Sequence, residues 1–162
     1  MDPWRNRILR TSEVPPEDLL ANPLNWRIHP GHQQAALGGV LDEVGWVNEV
    51  LVNANSGFVI DGHLRVALAL RRGEPTIPVK YVDLTDAEER LVLATFDPIG
   101  ALAVRDIEKS DVLERLLQED GLGDILKAVN VAGLDHAPVR KVSHDATIIC
   151  PHCGKEFILE RD

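Results

Sequence analysis

The sequence predicts an α/β (α+β) fold: a small mixed sheet with flanking helices, then a helical C-terminal layer and a short cysteine-bearing tail. Three observations predict it. Short β-branched runs at residues 47–52, 58–60 and 76–82 alternate with segments whose apolar residues recur every three or four positions, so strands and helices interleave. Glycines stand where two of those helical segments stop, at Gly45 and Gly73. The chain is 44% hydrophobic and 27% charged, as globular domains are, yet only 4% aromatic, so aliphatic side chains must build its core.

Residues 8–14 read as a first strand. Pro15-Pro16 followed by Glu17-Asp18-Leu19-Leu20 reads as a short helical turn, since proline is tolerated where a helix begins. The next segment, Asn22-Pro23-Leu24-Asn25-Trp26-Arg27-Ile28-His29-Pro30, mixes turn formers with a large aromatic and basic groups, which suits a loop that either contacts a ligand or connects. Over residues 32–44, Ala36, Leu37, Val40, Leu41 and Val44 give an amphipathic helix expected to cover the sheet. Residues 47–52 and 58–60 form a hairpin or adjacent strands around the turn formers of 53–57. The second of these strands stops at Asp61-Gly62 and passes straight into a helix over 63–72, closed by Gly73. Pro78 assigns the strand at 76–82 to an edge, or itself to the strand start. Thr85-Asp86-Ala87-Glu88 has capping-box spacing and opens a helix to about Phe96, where Asp97-Pro98-Ile99-Gly100 breaks it. Helical patterns at 110–119 and 122–129 complete the C-terminal layer. The expected divisions are a main domain over 1–100, a helical extension over 101–134, a linker over 135–143 and a tail over 144–162.

A chain of 162 residues has room for one well-buried domain and an appendage. With 17 basic against 26 acidic residues its net charge is -9, so the chain as a whole is repelled by DNA phosphates and unspecific DNA coating is excluded. The small basic clusters at Arg5, Arg7 and Arg10, at Arg71-Arg72 and at Arg140-Lys141 read as solvated faces. No apolar run approaches the roughly 20 residues that span a bilayer, and the N-terminus lacks a basic-then-apolar signal pattern, so a cytoplasmic protein with no membrane partner is expected.

The chemistry concentrates at Asp61-Gly62-His63-Leu64-Arg65. A strand that runs through glycine into a helix turns backbone N–H groups and the positive helix end toward one point, which suits an anion. Arg65 would supply a charge-assisted donor to phosphate, Asp61 a metal ligand or proton acceptor, and His63 a phosphate contact or proton carrier. The same five residues also fit a plain helix start, with Asp61 capping, Gly62 turning, and His63 and Arg65 exposed.

The order of elements around this turn resembles the ParB/sulfiredoxin superfamily over roughly residues 8–100. The resemblance is carried by Asn22-Pro23 with Trp26-Arg27, by 47–52, by Val59-Ile60-Asp61-Gly62-His63-Leu64-Arg65, and by Gly73 and Ile77-Pro78-Val79. The chain looks most like compact ParB-like proteins of bacteriophages and mobile elements, some joined to DNA methyltransferases. The resemblance implies that residues 1–100 bind a nucleoside triphosphate or diphosphate with Mg²⁺, lined by Asn22, Trp26, Arg27, Asp61, Gly62, His63 and Arg65. It implies a DNA transaction (modification, partition or regulation) in which DNA or a DNA-modifying protein is the partner and a homodimer can form. Partition ParB proteins carry Gly-Glu-Arg-Arg at this turn and use CTP; here His63 and Leu64 replace the middle pair. Sulfiredoxins have a reactive cysteine where this chain has His63, which excludes their reaction. The superfamily's free serine kinases carry Asp-Gly-His-His-Arg, one residue away, so a second expectation is a Mg²⁺-dependent phosphoryl-transfer or phosphodiester-cleaving enzyme with Asp61 and His63 as catalytic residues.

Cys150-Pro151-His152-Cys153-Gly154 in the tail is half of a zinc knuckle. Three arrangements remain open: zinc held by Cys150, Cys153, His144 and a fourth group, zinc shared between two chains through four cysteines, or a ribbon without metal.

Overall fold

The computed structural model describes residues 3–125 and 127, together with the two short strands of the tail. Strand β1 (Ile8–Val14) leads through a 3-10 turn (Pro16–Asp18) and a loop into helix α1 (Gly31–Val44). Strands β2 (Val50–Asn53) and β3 (Val59–Asp61), helix α2 (His63–Arg72), strand β4 (Ile77–Val82), and helices α3 (Asp86–Gly100) and α4 (Ile107–Glu119) follow. In the tail, β5 (Thr147–Ile149) pairs antiparallel with β6 (Glu156–Ile158).

The main sheet is mixed, in the order β1-β4-β2-β3. β2 and β3 are the antiparallel hairpin expected from 53–57, β4 returns parallel to β2, and β1 pairs antiparallel with the far side of β4. Strand alternation then sorts the core into two layers. Val50, Val52, Val59, Ile77 and Val79 face one way and pack with Val66 and Ala69 of α2. Ile60 and Val82 face the other way and pack with Leu84 and Leu93, with Val92 of α3 beside them. The buried hydrophobic residues are all aliphatic, as a composition poor in aromatics requires.

Three expectations need correction, and a fourth leaves two placements open. α1 does not cover the sheet: it lies against α2 and buries only Ala36, so the apolar stripe of the helix meets another helix and not the strands. The strand expected over 47–52 begins at Val50, and Val47 is exposed. β4 is an interior strand, and of the two placements expected for Pro78 the strand start is the one found: it is the second residue of β4, one before β2 joins the ladder at Val79. Asp97-Pro98 does not end α3, which runs through Pro98 to Gly100. Proline forfeits one backbone bond but adopts helical φ, and this near a helix end the loss is confined to the last turns. The capping box at Thr85 and Glu88 is present in full, with both reciprocal bonds made.

α4 opens on Asp106, whose carboxylate accepts from Lys109 N, and carries no buried residue. Residues 123–125 and 127 are helical, and the rest of the helix expected at 122–129 lies outside the described residues.

Ile77 is fully buried between strands and α2, so its truncation leaves a cavity the interior strand cannot collapse around. Ile77→Ala should cost about 2–5 kcal/mol of unfolding free energy, read as a lower urea midpoint at unchanged slope.

Candidate functional site

Gly62 takes the chain from β3 into α2 at φ 95°, ψ 16°, in the left-handed region that glycine enters without steric cost. Space enforces the same choice: a Cβ there would lie 3.1 Å from Val50 Cγ2 and 3.2 Å from the Arg65 guanidinium. No side chain caps α2, so the helix start presents bare N–H groups. Beside it is a cavity of about 220 Å³, lined by Arg27, His29, Gln33, Leu37, Asp61, Gly62, His63, Leu64, Arg65 and Asp97.

The cavity thus gathers Arg27, Asp61, Gly62, His63 and Arg65 from segments up to 38 residues apart. Two arginines enter it already held. Arg65 donates through Nη2 to Asp61 Oδ2 at 2.9 Å and through Nη1 to the Asn48 carbonyl at 3.2 Å, with its side chain 13% exposed. Arg27, also 13% exposed, has Nε 2.7 Å from Asp97 Oδ2 and donates through Nη2 to the Leu93 carbonyl at 3.4 Å. The Nε–Asp97 contact is an ion pair without hydrogen-bond alignment, so that buried N–H is left with unused donor capacity. Arg27 also lies 5.2 Å from the Trp26 ring centroid.

Asn22 and Trp26 flank the cavity and do not line it. Asn22 is buried and turns inward: its amide donates to Glu89 Oε1 at 2.8 Å, and its backbone N–H reaches His63 Nε2 at 3.4 Å. Trp26 is exposed, and its indole N–H donates to the same Leu93 carbonyl that Arg27 uses, at 3.4 Å. The tail candidates Cys150, Cys153 and His144 lie outside the described residues. Among the described residues no group of three or more His, Cys, Asp or Glu side chains is placed to hold a metal.

Sequence reasoning missed Asp97 and Glu89. Asp97 was hidden in a dipeptide that reads as a helix breaker. Glu89 had a signal: it sits four residues before Leu93, on the face of α3 that meets the sheet, where an exposed-type residue is out of place.

No family model and no curated protein matches the chain. Solved structures do. The C-terminally truncated chromosome-partitioning protein ParB from Caulobacter crescentus, in complex with CTP-gamma-S, superposes with a TM-score of 0.56 at 21% identity, covering 68% of this chain and 64% of that one. The chain has a ParB-like fold. A Pnob8-like ParB-N domain matches at a TM-score of 0.47 and 15% identity, covering 95% of this chain and 59% of that one. This chain therefore spans somewhat under two thirds of the length of the ParB proteins it matches. Within the ParB-like fold, the Asp61–Arg65 turn falls at the junction of the last hairpin strand and the helix that follows it.

Burial lowers the affinity of His63 for a proton, and the nearby Arg27 and His29 add to the effect against the opposing pull of Asp61. Its folded pKa is therefore below its ordinary 6.5. Between the two values the unfolded chain binds the extra proton, so this contribution to stability is complete above about 6.5 and is lost as pH falls through the lower folded value. An NMR titration should find His63 titrating below 6.5, and Arg27→Gln should move its pKa upward by removing a positive neighbour.

Proposed function

We propose that this chain is a ParB-like nucleotide-binding protein in which the N-terminus of α2 receives nucleotide phosphates. The observation that carries this reading is the uncapped helix start at Gly62, opening on a cavity with the side chains of Arg27, His63 and Arg65 around it. The unused N–H of Arg27 supports it, because a phosphate oxygen would give that donor an aligned acceptor. The fold likeness to a ParB solved with CTP-gamma-S supports it at the level of architecture.

Mg²⁺ would accompany the nucleotide. Asp61 and Asp97 are the carboxylates on the cavity, and each is engaged by an arginine, so a cation there would be held largely by phosphate oxygens and water with one of these carboxylates added. That donor set fits Mg²⁺, whose chemistry at such a site is to neutralise phosphate charge. On this reading the protein serves a DNA transaction (modification, partition or regulation) with a DNA or protein partner, of the kind encoded by phages and mobile elements. His144, Cys150 and Cys153 of the tail remain candidates for zinc within the same reading.

Calorimetric titration with ATP, ADP, CTP and GTP, each with Mg²⁺, tests the proposal. At least one nucleotide should bind, and Gly62→Ala should weaken it at least tenfold while circular dichroism shows the fold retained, since a Cβ at φ 95° displaces either the turn or Arg65. Phosphate release in the same samples would mark an enzyme, whereas intact nucleotide would mark a binder. Failure of every nucleotide to bind would overturn the reading.

A further inference from the structure

Behind the cavity, the fold buries a carboxylate that is held by neutral donors. Glu89 of α3 is 8% exposed. Its Oε1 accepts from Asn22 Nδ2 at 2.8 Å, and its Oε2 accepts from Asn53 Nδ2 at 2.6 Å and from Ser56 Oγ at 2.5 Å. Burial alone would push its carboxyl upward, but the bonds from Ser56, Asn53 and Asn22, with Arg90 nearby, outweigh it and hold the group below its ordinary value, so Glu89 is an anion at neutral pH.

An ionised carboxylate only accepts, so it dictates how each amide around it must turn. Both asparagines present NH₂ to Glu89 and point their oxygens away: Asn22 Oδ1 accepts from Leu24 N at 2.9 Å, and Asn53 Oδ1 accepts from Leu84 N at 3.2 Å and Asn55 N at 3.3 Å. With Asn22 fixed in this way, its backbone N–H meets His63 Nε2 at 3.4 Å. A ring nitrogen that accepts carries no proton, so neutral His63 must hold its proton on Nδ1. In this way Glu89, which does not line the cavity, reaches a residue that does.

We propose that Glu89 is a positioning residue: acting through Asn22, it selects the Nδ1–H tautomer of His63 and with it the donor that His63 offers to an anionic ligand. The second half rests on the reading of the cavity as a phosphate site. The first half does not.

The test is the ¹⁵N ring spectrum of His63 at neutral pH, recorded first without nucleotide on the full chain. The unsubstituted protein should show the Nδ1–H form; a dominant Nε2–H form would overturn the proposal outright. Glu89→Gln keeps the volume but replaces one accepting oxygen with an NH₂; the remaining oxygen serves Asn53 and Ser56 best and leaves the NH₂ facing Asn22, so His63 should relax toward Nε2–H. Asn22→Ala cuts the same chain at its next link and should do likewise should Glu89→Gln not fold. Ser56→Ala removes a donor on the opposite side of the carboxylate and should leave the tautomer unchanged, although it lowers stability. A folded Glu89→Gln protein with an unaltered His63 spectrum would reduce Glu89 to a structural role and overturn the proposal. Where nucleotide binds the unsubstituted protein, Glu89→Gln should raise Kd about tenfold and Ser56→Ala should not; equal Kd values in the two variants would overturn the link from tautomer to ligand.

Discussion

Gly62 carries the chain from β3 into α2 in a backbone region closed to most side chains, so the angle at which the helix leaves the sheet depends on the absence of a Cβ at one position. Val50 fills the space beneath that turn and the Arg65 guanidinium lies against it. The turn therefore sets three things together: where α2 packs on the aliphatic layer, where its free N–H groups point, and how Arg65 reaches back to Asp61. The loop containing Asn22 is tied to the same strand, since Val59 N donates to the Leu20 carbonyl at 2.9 Å. A small sheet thus fixes both walls of the cavity through its hairpin.

The opposite face of the sheet supplies the second fixed point. α3 begins at a complete capping box, whose Glu88 also takes a bidentate grip from Arg7 on the segment before β1, at 3.2 and 2.9 Å. The next residue, Glu89, turns inward. Adjacent acidic residues therefore serve different ends: one closes the helix start at the surface, and the other collects Asn22, Asn53 and Ser56 inside. Such a network rewards full satisfaction and penalises partial satisfaction, because any donor lost leaves a buried charge short of a partner. It also ties the loop containing Asn22 to the helix on the far side of the hairpin, so the loop's geometry is inherited from the core.

Much of this was legible in the sequence. β-branched runs were enough to place β1, β3 and β4 and, apart from its start, β2; apolar spacing and Gly73 placed α2; the Gly62 turn with His63 and Arg65 was singled out from residue types, and Arg27 through the family resemblance. Two failures share a physical cause. The extent of α3 past Pro98 and the packing of α1 on α2 and not on the sheet are both decided by what packs against an element, and local preference is silent on that. Asn22 shows the same limit at the level of one side chain. Its place beside the cavity was foreseen, yet its amide faces the core, and nothing local distinguishes an asparagine that points at a ligand from one that points at a buried glutamate.

The net charge of -9 bears on how such a site can work. A chain this acidic has no long-range pull on an anion, so any phosphate must be held by short-range donors in a screened pocket. On the proposed reading Arg27 and Arg65 are such donors, and each is paired to an aspartate. The pairing keeps both guanidinium groups oriented and spares the protein the cost of two uncompensated, mostly buried cations. On the proposed reading it also sets the terms of binding, since a phosphate must compete with Asp61 for the Nη2 of Arg65 and draw Arg27 from its ion pair with Asp97. A mononegative group offers little advantage over a carboxylate in that contest. A polyphosphate offers more oxygens and more charge, and a Mg²⁺ brought with it would neutralise the repulsion between its oxygens and the two aspartates. On the proposed reading the paired arginines would thereby favour a metal-bearing polyphosphate over simple anions, the discrimination that a nucleotide site in an acidic protein would require.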